Sequence, residues 1–333
     1  MSLEKILNDL QKQVYKPVYW LEGEEEYFID LLIDYAEHHI LSESEASFNL
    51  SIFYGRDANW ADIVNACRKY PMFSDRQVVI LKEAQSMRDI DKLEGYIDKP
   101  LASTVLFIAY KNKKLDGRTK LAKMIKDRSV FFSSKKLYDN ELPDWVSQLV
   151  KSKGYTINNK ALFLLIDHIG NDLSRLNNEV DKLTINLGQR KSITEDDIEM
   201  YVGISKEFNV FELQQAIASR DLYKAIRIIQ YFSANPKAAP LQLIFPSIYN
   251  YFSKVLLVYG ASSRDEKSVA AAIGVNAYFV KDYIQTALKY SQADIEKILL
   301  LLFEYNLRNL GIRDAGTDDA DLLKEMVAKM IAA

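Results

Sequence analysis

Thr104-Val105-Leu106-Phe107-Ile108-Ala109 is the stretch that decides the fold, because it is apolar almost from end to end. A strand without a polar face is typical of a parallel sheet that helices cover on both sides. Four more stretches predict strands, with helical patterns between them: residues 17–21, 48–54, 77–81 and 130–133. This alternation of strand and helix predicts a doubly wound α/β domain in the first part of the chain.

The helices of this domain are predicted from apolar residues at helical spacing. The helix at residues 24–41 is expected to bury Phe28, Leu31, Leu32 and Tyr35. Another helix is predicted to run from residue 60 to residue 70, where Pro71 ends it.

Composition limits the class of protein. A chain of 333 residues with 48% hydrophobic and 27% charged residues is expected to fold into two or three domains. The net charge of −3 argues against binding nucleic acid through overall charge but permits a local basic patch. The single cysteine, Cys67, fits a reducing compartment, and we find neither a signal core nor a run of roughly 18 apolar residues. We therefore expect a cytoplasmic protein without a membrane segment.

Strand patterns stop after Lys136, and the rest of the chain is predicted to be helical. A small module follows first, with helices at 142–153, 158–169 and 172–187 and a helix start at Thr194, three residues before Asp197. From residue 207 onward the longest predicted helices are 240–259, 276–290 and 292–313. The predicted fold is thus α/β followed by all-α, with domains at 1–138, 139–205 and 206–333.

The turn after the first strand is where an α/β nucleotide-binding domain keeps its phosphate loop. Such a loop uses glycines, a lysine for the phosphates and a Ser or Thr for magnesium. Here the turn reads Leu21-Glu22-Gly23-Glu24-Glu25-Glu26-Tyr27. It keeps one glycine, lacks the lysine and the hydroxyl, and carries glutamates that would repel a polyphosphate. We predict a nucleotide-binding architecture without nucleotide chemistry.

Two large apolar residues, Met72 and Phe73, stand on the connection before the strand at 77–81, flanked by Asp75 and Arg76. Such a pair on a polar loop is either a lid over the protein's own core or a plug for a pocket on another protein. The pattern alone favours the lid.

We find no motif for catalysis or for metal binding. Adjacent His38 and His39 point about 100° apart on a helix, so they cannot chelate one ion together. No Cys/His metal spacing and no nucleophile elbow is present, and we predict no catalytic residue, no metal and no cofactor.

A basic segment at residues 111–128 holds eight basic residues against two acidic ones, Asp116 and Asp127. It could lie along nucleic-acid phosphates, meet an acidic partner, or form a solvated helix face. The candidates for contact with DNA or a partner are Lys111, Lys113, Lys114, Arg118, Lys120 and Lys123.

Four segments together resemble the delta subunit of the bacterial DNA polymerase III clamp loader, and the resemblance extends over the whole chain. They are Pro17-Val18-Tyr19 with Gly23-Glu24-Glu25, Met72-Phe73-Ser74-Asp75-Arg76, Lys113-Lys114-Leu115-Asp116-Gly117-Arg118-Thr119-Lys120-Leu121, and Gly170-Asn171-Asp172-Leu173-Ser174-Arg175-Leu176-Asn177-Asn178-Glu179-Val180-Asp181-Lys182-Leu183. The chain departs from the family pattern where Met72 replaces a common leucine and Gly117 a commonly charged residue.

The resemblance implies an AAA+-like domain without a working ATP site, a helical lid domain and a C-terminal collar domain. It implies that Met72 and Phe73 insert into a pocket on the sliding clamp, the beta subunit, and help to open its ring. Other implied partners are the gamma/tau and delta prime subunits, and primed DNA through the complex. The chain would then be a non-catalytic accessory subunit of a DNA-directed DNA polymerase, a nucleotidyltransferase. The alternatives are an active AAA+ ATPase and a DNA-binding protein that uses the basic segment.

Overall fold

A computed structural model of the chain describes residues 1–138, 140–205, 207–236, 239–263, 265–275, 277–312 and 316–333. The chain divides into two compact units, Met1–Leu137 and Tyr138–Ala333. The further division of the second unit into lid and collar domains stays a prediction. Among the described residues, no helix combines the length and the apolar character that a membrane crossing requires.

The first unit is built on a five-stranded parallel sheet with the strand order β2-β3-β4-β1-β5. Its strands are β1 Val18–Gly23, β2 Leu50–Tyr54, β3 Gln77–Lys82, β4 Thr104–Lys111 and β5 Val130–Ser134. Helices enclose the sheet: α1 Leu3–Gln11, α2 Glu26–His39, α3 Glu43–Asn49, α4 Trp60–Cys67, α5 Glu94–Asp98 and α6 Lys120–Arg128, with short 3₁₀ turns at Ala84–Ser86 and Ile90–Leu93. The predicted doubly wound fold is confirmed.

Successive residues of the strands enter two different apolar clusters. On one face Leu21 and Phe107 pack with α2. On the other face Trp20 and Ile108 pack with α4, α5 and α6. Both faces of β4 are therefore covered, which is why residues 104–109 need no polar side chains.

The structure corrects three details of this unit. Leu31, expected to face inward, is exposed on α2, where Ile29 and Ile33 are buried instead. The strand predicted from residue 48 begins only at Leu50, because the capping box of Ser42 and Glu45 starts α3 just before it.

Helix α4 ends at Cys67 and not at Tyr70, before Pro71 can act on it. The buried side-chain amide of Gln77 competes for the carbonyl groups at this end: the two N–H groups on its Nε2 are shared among acceptors that include the carbonyl oxygens of Ala66 (3.1 Å), Cys67 (3.3 Å) and Lys69 (2.6 Å). These bonds satisfy carbonyl groups that a longer helix would have paired internally.

The second unit is mainly helical. Its helices are α7 Leu142–Ser152, α8 Asn159–Ile169, α9 Leu173–Asn186, α10 Glu195–Asp197, α11 Val210–Ser219, α12 Leu222–Ala234, α13 Leu241–Tyr259, α14 Glu266–Ile273, α15 Ala277–Lys289, α16 Gln292–Asn309 and α17 Asp319–Ala332, with a π-helical turn at Ile198–Val202. At the predicted helix start, the Asp197 carboxylate accepts hydrogen bonds from the backbone N–H (2.8 Å) and the hydroxyl (2.9 Å) of Thr194. The expectation that strands end after Lys136 is wrong in one place. Thr156–Ile157 and Ser192–Ile193 form a parallel pair, β6 and β7, each too short to show a period in the sequence.

Candidate functional site

The loop between α4 and β3 carries Met72 and Phe73 at the protein surface. The Phe73 side chain is 92% exposed and that of Met72 is 53% exposed. Neither side chain covers the core, so the lid interpretation does not hold. Tyr70 on the same loop and Phe48 at the end of α3 are also exposed, so several large apolar groups face water in this part of the unit.

Helix α3 fixes the backbone of this loop through one buried amide. The side chain of Asn49, which is 3% exposed, accepts a hydrogen bond from the Met72 N–H (2.7 Å) and donates to the Met72 carbonyl (2.9 Å). Its Nδ2 also donates to the carbonyl of Glu45, one turn earlier in α3 (3.0 Å). Both backbone polar groups of Met72 are thus satisfied by a single side chain.

Two further contacts hold the rest of the loop. The Ser74 Oγ accepts a hydrogen bond from the Arg76 N–H (3.5 Å), and the Arg76 guanidinium lies 4.5 Å from the centre of the Tyr15 ring. Between these fixed points Phe73 adopts the left-handed backbone conformation, with φ +55°. That conformation is unfavourable for a side chain with a Cβ, so the surrounding contacts must stabilise it.

The turn between β1 and α2, at the opposite edge of the sheet, is filled by the protein's own groups. The Glu25 N–H, which a phosphate loop would offer to its ligand, donates to Ser134 Oγ (3.2 Å). The Glu25 carboxylate caps the N–H of Tyr27 at the start of α2 (3.2 Å). The buried carboxylate of Glu22 accepts from the Trp20 indole N–H (2.9 Å) and from the Leu115 N–H (3.2 Å).

Gly23 shows how closely this turn is packed. Its φ is +135°, and a Cβ at this position would lie 2.3 Å from the Ser134 carbonyl oxygen. The end of β5 therefore occupies the space above the turn, and only glycine fits between the two strands. No group of three or more metal-ligating side chains occurs within the part of the chain that the structure describes.

The basic segment begins at the same edge of the sheet, and much of its charge is balanced nearby. Lys111 Nζ lies 2.6 Å from Asp30 and 3.3 Å from Glu26. Partial burial disfavours the Lys111 ammonium, but these carboxylates outweigh that effect and raise its pKa.

Three more of the candidate residues have acidic partners. Lys114 lies 3.7 Å from Glu24, Lys120 lies 2.9 Å from Glu94, and Arg118 pairs with Asp116 at 2.7 Å. Lys113 and Lys123 are exposed and form no ion pair with any residue in the described ranges. The six candidates do not converge on one site, and these two lysines retain the most freedom to bind an external anion.

Comparison with known proteins identifies the family. Residues 19–135 match the family model described as DNA polymerase III, delta subunit, and residues 207–311 match that of the DNA polymerase III delta subunit, C-terminal domain. The chain is 26% identical over 335 residues to DNA polymerase III subunit delta of Bacillus subtilis, with 96% of this chain and 94% of that protein aligned.

A probable DNA polymerase III subunit delta of Aquifex aeolicus is 22% identical over 302 residues, which cover 86% of this chain and 83% of that one. The solved structure of the Bacillus subtilis DNA clamp loader delta protein aligns over 100% of both chains, with a TM-score of 0.58 and 25% identity. The chain belongs to the DNA polymerase III delta-subunit family. It is therefore an accessory subunit of DNA polymerase III, and its fold is that of the Bacillus subtilis delta protein.

Some apolar residues of the C-terminal domain of this delta-family chain are buried in its own core, and others are exposed. On the long helix α13, Phe245, Ile248, Phe252 and Val255 are buried in the domain's own core. Helix α16 buries one face in that core and exposes apolar residues elsewhere. The exposed apolar residues on and just after this helix are Leu300, Phe303, Leu310 and Ile312.

Sequence reasoning missed the residues that position the exposed pair. Neither Asn49 nor Gln77 belongs to a recognisable motif, and only the last two residues of α3 fall in an element predicted from the sequence, the strand at 48–54. The capping box at Ser42 and Glu45 is the signal that could have revealed the helix. The hydrogen bonds of Asn49 across 23 residues have no signature in a single sequence.

Proposed function

We propose that this chain binds the ring-shaped sliding clamp by inserting Met72 and Phe73 into an apolar pocket on it. The observation that carries the proposal is the exposure of both side chains on a loop whose backbone is held by hydrogen bonds from the buried residue Asn49. Burying an apolar side chain of this size is worth about 1.5–3 kcal/mol. A loop that is already ordered loses little conformational entropy on binding, so more of that free energy appears as affinity.

Ring opening would follow from differential binding. A subunit that binds the open clamp more tightly than the closed clamp shifts the clamp toward the open state, whatever the order of events. Neighbouring subunits that bind ATP would control when the pair is presented.

The experiment titrates the full chain with the clamp of the same organism, without nucleotide, by calorimetry. Binding is expected, and a clamp variant that stays monomeric is expected to bind more tightly than the closed ring because it has no interface to break. Equal affinity for the two clamps would contradict ring opening, and no binding to either would contradict clamp recognition.

We further propose that the chain neither binds nor hydrolyses ATP. The support is the turn at Gly23, where Ser134 and Glu25 occupy the backbone groups that a phosphate would need. Calorimetric titration with Mg-ATP is expected to give no heat of binding. Saturable binding at micromolar concentration would favour the alternative of an active ATPase.

The C-terminal domain is proposed to join this chain to the gamma/tau and delta prime subunits of the loader. The support is the set of apolar residues that α16 leaves exposed. The double variant Leu300→Ser/Phe303→Ser should fold normally but fail to assemble, while Lys297→Ser on the same helix should assemble as the parent does. Removal of residues 207–333 should also abolish assembly. An intact loader that contains the double variant or the truncated chain would contradict the proposal.

A role in contacting primed DNA within the loader is proposed for Lys113 and Lys123 only. Each phosphate contact contributes about 0.9 to the slope of log affinity against log salt concentration. The variant Lys113→Ala/Lys123→Ala should therefore lower that slope by about 2 when the assembled loader binds primed DNA. An unchanged slope would contradict a DNA contact by these two lysines.

A further inference from the structure

The loop that carries Met72 and Phe73 departs from what a free chain segment would do. Phe73 has a positive φ, and the side chains of Met72 and Phe73 are both exposed to water. A free segment would relax toward extended or right-handed conformations and would turn its apolar groups inward. The conformation persists because something outside the loop determines it.

That determinant is the side-chain amide of Asn49. It bonds both polar backbone groups of Met72, the residue directly before the strained one, and it is itself tied to the Glu45 carbonyl within α3. Gln77 fixes the chain on one side of the loop by holding the last carbonyls of α4 and by donating to Thr104 Oγ1 (2.8 Å). Buried amides thus fix the loop both at its start and at its centre.

We propose that Asn49 is a positioning residue for clamp binding, which presents Phe73 in its binding conformation without touching the clamp itself. The inference rests on the proposed function of the loop. Asn49 is buried beneath the loop and is out of reach of a docking protein, so any effect of its removal must act through the loop.

The expected size of the effect follows from the population of the competent state. The apparent affinity of a binding loop falls in proportion to the fraction of molecules that hold the binding conformation. Asn49→Ala removes all three side-chain bonds and should leave the loop competent in a minority of molecules. We expect clamp affinity to fall about tenfold, which is less than the loss expected when the Met72 and Phe73 side chains themselves are removed.

The test compares the full-length parent with Asn49→Ala and with the matched control Asn65→Ala, which removes an exposed amide from α4. Hydrogen exchange should show the Met72 amide protected in the parent and in N65A, and unprotected in N49A. Calorimetry with the cognate clamp should show the tenfold loss in N49A alone. Retained protection in N49A, or lost protection with unchanged affinity, would overturn the inference.

The experiment distinguishes failure of the proposed function from failure of the inference about Asn49. A parent chain that does not bind the clamp would contradict the proposed function, whereas equal binding by the parent and N49A would contradict only the role of Asn49. If N49A shows no cooperative thermal unfolding, Asn49→Ser replaces it, because a serine hydroxyl is too short to bond both the N–H and the carbonyl of Met72. N49S should then weaken clamp binding, and parent-like affinity would overturn the inference.

Discussion

Two phenylalanines show how differently one residue type is used in this chain. Phe107 is fully buried in β4 and stacks on Tyr19 with ring centres 4.3 Å apart, whereas Phe73 is almost fully exposed. Phe107→Ala should lower the free energy of unfolding by about 3–5 kcal/mol, as expected for a large cavity in a core. Phe73→Ala should leave it within about 0.5 kcal/mol of the parent, as is usual at exposed sites.

Denaturant unfolding of the two variants measures this difference. A large loss of stability in F73A would mean that its side chain covers apolar surface in solution, which would restore the lid interpretation.

Gly23 is the residue on which the closed turn depends. Gly23→Ala would introduce a Cβ 2.3 Å from a backbone oxygen, at a φ that alanine rarely adopts. We expect a loss of about 3 kcal/mol in unfolding free energy. Gly117→Ala is the matched control, because the nearest atom to its added Cβ is Lys126 Nζ at 3.9 Å. Thermal unfolding should show G117A close to the parent, and a G23A variant equally close would contradict this account of the turn.

At the scale of elements, helix α3 couples the loop to an ionisable group. Hydrogen bonds from the Ser42 hydroxyl and N–H, and from Ser74, hold the pKa of Glu45 down to about 2. A carboxyl pKa that is lower in the folded state stabilises the fold fully above its unfolded pKa, and the contribution disappears as the pH falls toward the folded pKa.

Glu45→Gln should therefore be less stable than the parent near neutral pH. The difference should shrink as the pH is lowered from about 5 to about 2, the window between the unfolded and folded pKa values. Urea unfolding of both proteins across this range provides the measurement. A difference that does not depend on pH would show that the ionised carboxylate is not what stabilises α3.

Elements with a strong local pattern could be predicted from the sequence. The apolar strands, the helices between them and the lack of phosphate-binding side chains at the Gly23 turn can be predicted from residues close in the chain, whereas the closure of that turn by Ser134 cannot. Helix α3 and the end of α4 could not be predicted in the same way, because short helices carry little periodicity and Gln77 acts on carbonyls eight to eleven residues away. The exposure of Met72 and Phe73 also required the structure, since the pattern of an apolar pair on a loop favours a lid.

At the scale of the whole chain, the first unit separates its two candidate sites. Because the strands are parallel, the segments before β2 and β3 meet at the edge formed by the amino-terminal ends of the strands. The turn after β1 lies at the edge formed by their carboxyl-terminal ends. The edge where relatives of this architecture bind nucleotides is closed by Ser134 and Glu25, while the opposite edge presents Met72 and Phe73. The fold thus serves, on our proposal, to present an apolar pair.

The most direct test of that claim is clamp binding by the full-length double variant Met72→Ala/Phe73→Ala. Tyr54→Ala is the matched control, because it removes an exposed aromatic side chain at the far end of β2. A central interface anchor is worth about 2 kcal/mol or more, so the double variant should bind the clamp at least about thirtyfold more weakly. We predict this loss with a melting temperature close to that of the parent and normal binding by Y54A. Parent-like clamp affinity in the double variant, with or without a loss of stability, would contradict the account.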